Sequence, residues 1–160
     1  MLDSRDARLT ALAAPLGLDV DAPLVIGGQY CAVLQYGEQL YVSGQVPRVG
    51  NQVQVTGAAG DAASLDDARR AAEICALRAL ILLRQQLGTL DALAQVLKLN
   101  VYVQSAPGFT QQSEVADAAS ALLAQVLGAA GHTARTSVGV AQLPKNATVE
   151  LDLQAARRVG

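Results

Sequence analysis

Charge is scarce in this chain. Of its 160 residues only 16% are Asp, Glu, Lys or Arg, against about a quarter in ordinary globular domains, while 51% are hydrophobic. Tryptophan is absent and phenylalanine occurs once. That balance excludes disorder, collagen and a charged coiled coil. Lysine is limited to Lys98 and Lys145 and the net charge is −2, which leaves nothing to track a phosphate backbone. The one histidine, His132, cannot build a multi-histidine metal site. Cys31 and Cys75 show no CxxC or Cys/His ligand spacing and read as two reduced thiols of the core. No GxSxG, Walker or GxGxxG run is present, so a hydrolase elbow and a nucleotide loop are not indicated.

Export signals are missing too. The opening MLDSRDARLT carries acids and arginines where a signal peptide needs an apolar run. The most concentrated apolar run, Ile74 to Leu83, is interrupted by Arg78 and closed by Arg84, short of the ~20 residues that span a bilayer. The expectation is a soluble, cytoplasmic protein without a cofactor or a metal. The length suits one domain, and an apolar, charge-poor sequence implies that part of the surface meets another subunit.

What is present reads as α+β. Residues 4 to 16 predict a short helix, with Leu9, Leu12, Ala13 and Leu16 on one face. Cys31 to Tyr36 and Gln39 to Gly44 predict a hairpin turning at Gly37 and Glu38, and Gln52 to Val55 a third strand. Ser64 to Leu87 predicts the strongest helix, with Ser64 and Asp67 as a capping box and Gly88 as the terminator. Val96 to Gln104 alternates, placing Leu97, Leu99, Val101 and Val103 on a buried face. A second long helix, Gln111 to Leu127, buries Val115, Ala119, Leu122 and Val126. Ala134 to Leu143 and Ala147 to Gln154 then predict a closing hairpin around Pro144, Lys145 and Asn146. Strands in runs with helices between the later ones indicate a largely antiparallel or mixed sheet with two long helices on one face. Residues 1–23 read as a helix-and-loop extension and 24–160 as a single domain.

The closing hairpin draws the eye to chemistry. With Val138 and Val140 inward on one strand and Val149, Leu151 and Leu153 inward on the other, Arg135, Ser137, Gly139, Glu150 and Asp152 share the opposite face. A solvated face with a surface ion pair would look the same.

The run RTSVGVAQLPKNATVELDL, Arg135 to Leu153, resembles the C-terminal signature of the Rid family of reactive intermediate deaminases, also called YjgF-like proteins. Arg135, Leu143, Pro144 and Glu150 fall at the signature's places. IGGQYCAVLQYGEQLYVSGQVP, Ile26 to Pro47, resembles the family's N-terminal block, with Tyr30 and Ser43-Gly44-Gln45 at the matching positions. The resemblance implies a chorismate-mutase-like subunit, a homotrimer with clefts between neighbours, and hydrolysis of 2-imino or enamine acids to 2-keto acids and ammonia. It implies Arg135 as the fork that holds a substrate carboxylate and Glu150 as the group that positions or deprotonates water. Gly44 would let the backbone approach the substrate, with Tyr30 closing the pocket and Ser43 beside it. Ser113 stands where many members have asparagine and Ser137 where they often have cysteine, both toward the substrate, and His132 lies three residues before Arg135. On one strand pair Arg135 and Glu150 are offset by ~13 Å, so a site using both is easier to build across a subunit boundary. The alternatives are a trimeric binder of carboxylate metabolites without turnover and, disfavoured by the charge balance, an endoribonuclease.

Overall fold

A computed structural model describes residues 4–160; residues 1–3, which head the N-terminal stretch read above, lie outside it. Helix α1, Arg5–Ala13, is capped by the Ser4 side chain and runs into a 3-10 turn, Ala14–Leu16. Strands β1, Val33–Tyr36, and β2, Gln39–Gln45, form the expected hairpin, and Cys31 stands outside it, exposed. The third predicted strand is smaller than expected. It shortens to β4, Gln52–Val53, which pairs only with β3, Arg48–Val49, in a separate two-stranded ribbon.

Helix α2, Leu65–Leu87, starts on the predicted capping box, with the Asp67 amide donating to Ser64 Oγ and the Ser64 amide to Asp67 Oδ2, each at 3.0 Å. It ends at Gly88, whose positive φ of 85° suits a residue without a side chain. Every residue from Ile74 to Leu83 is buried, Arg78 included, because α2 packs on the sheet and is flanked by the helices α1 and α3, Gln112–Leu127, the latter also packed on the sheet. Val115, Ala119, Leu122 and Val126 of α3 are buried as the helical period requires.

Strand β5 is Leu93–Gln104, β6 Ala134–Val140 and β7 Val149–Arg157. The sheet has five strands in the order β1-β2-β7-β5-β6, with β5 and β6 parallel and the other pairs antiparallel. This is the expected mixed sheet with two long helices on one face.

Two sequence expectations fail here for physical reasons. Leu97 is 42% exposed while Val96 is buried, because register shifts between Leu93 and Gln95 and between Val96 and Lys98 break the alternation that holds from Leu99 onward. The closing hairpin does not exist either. The crossover through α3 returns β6 parallel to β5 on its far side, so β5 separates β6 from β7. Arg135 is paired with Leu99 and Ser137 with Val101, both fully buried, so these two polar side chains point toward the helices. Val138, expected inward, pairs with Tyr102 on the other face and is 40% exposed. Glu150 and Asp152 lie opposite Tyr102 and Asn100 on that uncovered face. Arg135 and Glu150 therefore project from opposite sides of the sheet.

Candidate active site

The cleft is built where β2 stops behaving as a regular strand. Its pairing with β7 runs in step to Val42 opposite Leu153, then slips so that Gln45 faces Leu151. Ser43 and Gly44 fill the slip, and Glu150 of β7 lies over them. A side chain at Gly44 could not coexist with this arrangement, since a Cβ there would collide with the Glu150 carboxylate. The backbone is bare at the point where the acid sits.

Around this point opens a cleft of about 810 Å³, walled by β2, β7, the turn at Pro144 and Lys145, and the irregular loop 17–32 that carries Tyr30. Side chains of α2 tie that loop down: Gln85 donates to the Ala22 carbonyl at 2.9 Å, Arg84 to the Val20 carbonyl at 3.2 Å and Arg78 to the Val25 carbonyl at 3.3 Å. Gln45, 4% exposed, joins the same scaffold by accepting from Arg78 Nε at 3.1 Å and donating to the Ser43 carbonyl at 2.9 Å. The Ser43 hydroxyl is engaged as well, donating to the Cys31 carbonyl at 2.6 Å. Ser43 thus lines the cleft through its backbone while its side chain holds the loop. Cys31, expected in the core, stands in the cleft wall, since the chain reaches β1 only at Val33. Cys75 is buried, and burial pushes its thiol well up.

Glu150 makes no ion pair among the described residues. Burial first, and the like charge of Asp152 second, raise its carboxyl above the ordinary carboxylate range. Asp152 has a partner, accepting from Asn100 Nδ2 at 2.8 Å. Burial and Asp152 likewise raise the Tyr102 phenol. A carboxyl that holds its proton more tightly when folded costs stability once pH rises past its unfolded value, about 4.3. Glu150→Gln is therefore expected to raise Tm above that of the parent at neutral pH, with the gain vanishing below about pH 4. Thermal melts across that range check it; a gain that stays constant with pH would mean that the carboxyl is not strained by its surroundings.

The other residues singled out by sequence gather elsewhere. The Arg135 guanidinium lies against α3, donating to Asp117 Oδ1 and Ser113 Oγ at 2.8 Å and to Ser120 Oγ at 3.1 Å. Positions 113, 117 and 120 follow the helical period, so one face of α3 holds the fork. Ser137 is two residues further along the same strand face. His132 is exposed, and its carbonyl accepts from Gln95 Nε2 at 2.6 Å. Tyr30, Ser43, Gly44 and Glu150 are together; Arg135, Ser113, Ser137 and His132 are not with them. Arg48 and Arg78, which line the cleft, are not among the residues that sequence motifs single out. The break that Arg78 makes in the apolar run Ile74–Leu83 is the available signal, because a buried arginine in such a run must reach polar partners.

The fold and the site together define an α+β subunit whose cleft carries a desolvated, unpaired carboxylate over bare backbone. Its sequence matches the model of the family described as Endoribonuclease L-PSP over residues 21–157, and the chain belongs to this family, the YjgF/Rid group. It is 40% identical to Protein TCP17 of Trypanosoma cruzi over 91% of each chain. It is similar, at 36% identity and TM-score 0.85, to the crystal structure of Atu1372, a protein of unknown function from Agrobacterium tumefaciens, covering 97% of this chain and 95% of that one. The YjgF gene product of Escherichia coli shares the fold at 22% identity and TM-score 0.61, over 89% of this chain and 98% of its own. Among the described residues no helix is long and apolar enough to cross a membrane.

Proposed function

We propose that the cleft hydrolyses small 2-imino acids, or their enamine tautomers, to 2-keto acids and ammonia, in a homotrimer with a cleft at each subunit boundary. The observation behind this reading is the Glu150 carboxylate, desolvated and unpaired over the backbone of Gly44, in a chain of the YjgF/Rid group. A carboxyl raised toward neutrality is a better base than an ordinary glutamate at the pH of the cell.

In the reaction, Glu150 takes a proton from water as the oxygen attacks the imine carbon, and the pair of electrons of the C=N bond moves to nitrogen. The resulting carbinolamine receives that proton on nitrogen. Its C–N bond then breaks as the hydroxyl proton passes by way of Glu150 to the departing nitrogen, giving the ketone and ammonia. Positioning supplies most of the acceleration, since an imine carbon is already electrophilic. Gly44 leaves the backbone free to orient the substrate, Tyr30 closes the mouth, and Ser43 shapes the floor. The carboxylate is held by Arg135 of a neighbouring protomer, whose guanidinium exchanges its contacts with Asp117 and Ser120 for the substrate while Ser113 steadies the fork and Ser137 stands beside it. His132, exposed at the start of the strand, stands at the rim. Two facts support sharing between protomers: Arg135 lies on edge strand β6, two strands from β7, and projects from the sheet face opposite to Glu150.

The test is release of keto acid and ammonia from freshly generated 2-iminopropanoate. The expected result is clear acceleration by the protein and a loss of about a hundredfold or more in kcat/KM for Arg135→Ala. Absence of acceleration sinks the reading; stabilisation by keto acids without turnover would then favour a trimeric binding protein. A net charge of −2 with only two lysines in the chain disfavours nucleic acid as substrate.

A further inference from the structure

Two arginines in the cleft have no counter-charge among the described residues, and the reaction above uses neither. Arg78 rises from the buried middle of α2 and is 4% exposed. Its guanidinium donates only to neutral acceptors: Gln45 Oε1 at 3.1 Å, the Arg48 carbonyl at 2.9 Å and the Val25 carbonyl at 3.3 Å. A guanidinium has five N–H donors, so hydrogen-bonding capacity is left over. Arg48, on β3, has a buried Nε with no hydrogen-bond partner. The ion pairs among the described residues join Arg84 to Asp6 and Asp21 and Arg135 to Asp117; Arg48 and Arg78 enter none of them.

Holding two cations in a cleft without an anion is costly, and an unpaired buried donor adds to the cost. Burial, with Arg48 adding to it, holds the Arg78 guanidinium below its ordinary range. The two cleft acids do not relieve this. Glu150 lies over Gly44, Asp152 is engaged by Asn100, and neither pairs with the arginines. The cleft therefore has an acidic part on β7 and a basic part at the foot of the loop. In the basic part the Arg48 guanidinium makes no hydrogen bond among the described residues, its Nε being buried and unpartnered, and a guanidinium fork matches a planar carboxylate in bidentate fashion.

We propose that Arg48, backed by Arg78, forms an anion subsite in the cleft, and that its occupant is the second carboxylate of a dicarboxylic 2-imino or 2-keto acid. The inference rests on the cleft being the ligand site, as in the proposed function, and narrows the substrate class to acids with an anionic side chain. A monocarboxylic acid would leave the Arg48 donor unpaired.

A matched pair of keto acids of equal chain length, 2-oxoglutarate and 2-oxopentanoate, isolates the second carboxylate. Calorimetric titration of the wild-type protein is expected to favour 2-oxoglutarate by about ten- to a hundredfold, the usual range for one charge-assisted contact. Arg48→Gln should bring the ratio close to one, and Arg48→Lys, which keeps the charge but not the fork, should retain part of it. Both variants keep the backbone carbonyl that Arg78 uses, and thermal melts verify that they are folded. A wild-type ratio near one, or a ratio unchanged in Arg48→Gln, overturns the subsite and leaves the deaminase reading intact. Failure of both acids to bind overturns the cleft as ligand site, and the subsite with it.

Discussion

Mixed oligomers assembled from equal amounts of Arg135→Ala and Glu150→Gln protomers should recover about a quarter of wild-type turnover, although neither variant is active alone. A quarter is the value for the proposed head-to-tail ring, in which each cleft would take Glu150 from one protomer and Arg135 from its neighbour. With random mixing, one cleft in about four receives both intact groups. The expectation stands on the sheet order, which puts β5 between the two strands, and on the opposite projection of the two side chains. Co-expression of two differently tagged variants, tandem purification and a keto-acid assay measure it. Activity no higher than the sum of the separate variants would mean that no cleft is shared, and the assignment of Arg135 would fall.

Gly44→Ala is expected to lower kcat/KM by about a hundredfold, with Tm shifted by no more than a few degrees. The added methyl group meets the Glu150 carboxyl, which is the end of a flexible side chain, so the collision is relieved by swinging the acid away and not by rebuilding the sheet. The backbone of Gly44 is not in the left-handed region, so alanine fits its conformation. A displacement of about 1 Å is enough to separate a general base from its water. The pairing of lost rate with retained fold distinguishes this substitution from a core defect, which would lower Tm first. Full activity in the Gly44→Ala variant would show that Glu150 does not act from its place over the bare backbone.

Much of the framework was legible because it depends on local patterns. Ser64, Asp67 and Gly88 mark both ends of α2, and the buried faces of α2 and α3 follow the helical period. Two motifs that resemble one family single out Tyr30, Ser43, Gly44 and Glu150 along with Arg135, Ser113, Ser137 and His132, of which the subunit brings only the first four together. What was not legible depends on partners. Alternation tells which face a strand buries but not which strand lies next to it, so the pairing of β6 with β7 was inferred where β5 intervenes. The slips in β5 that expose Leu97 leave no trace in composition. Arg48 acquires meaning only once α2 brings Arg78 beneath it and leaves both without an acid.

The position of β7 has a consequence in time. It follows every other strand in chain order, yet it lies at the middle of the sheet, between β2 and β5. While the chain is being made, β1 with β2 and β5 with β6 can pair as two separate halves, with no strand to join them. The core beneath them stays open until β7 inserts, and that closure pairs segments far apart in the chain, a slow kind of step. Glu150 rides on that strand, so the acidic group of the cleft is synthesised after every other strand, and a chain lacking β7 carries neither a continuous sheet nor that group.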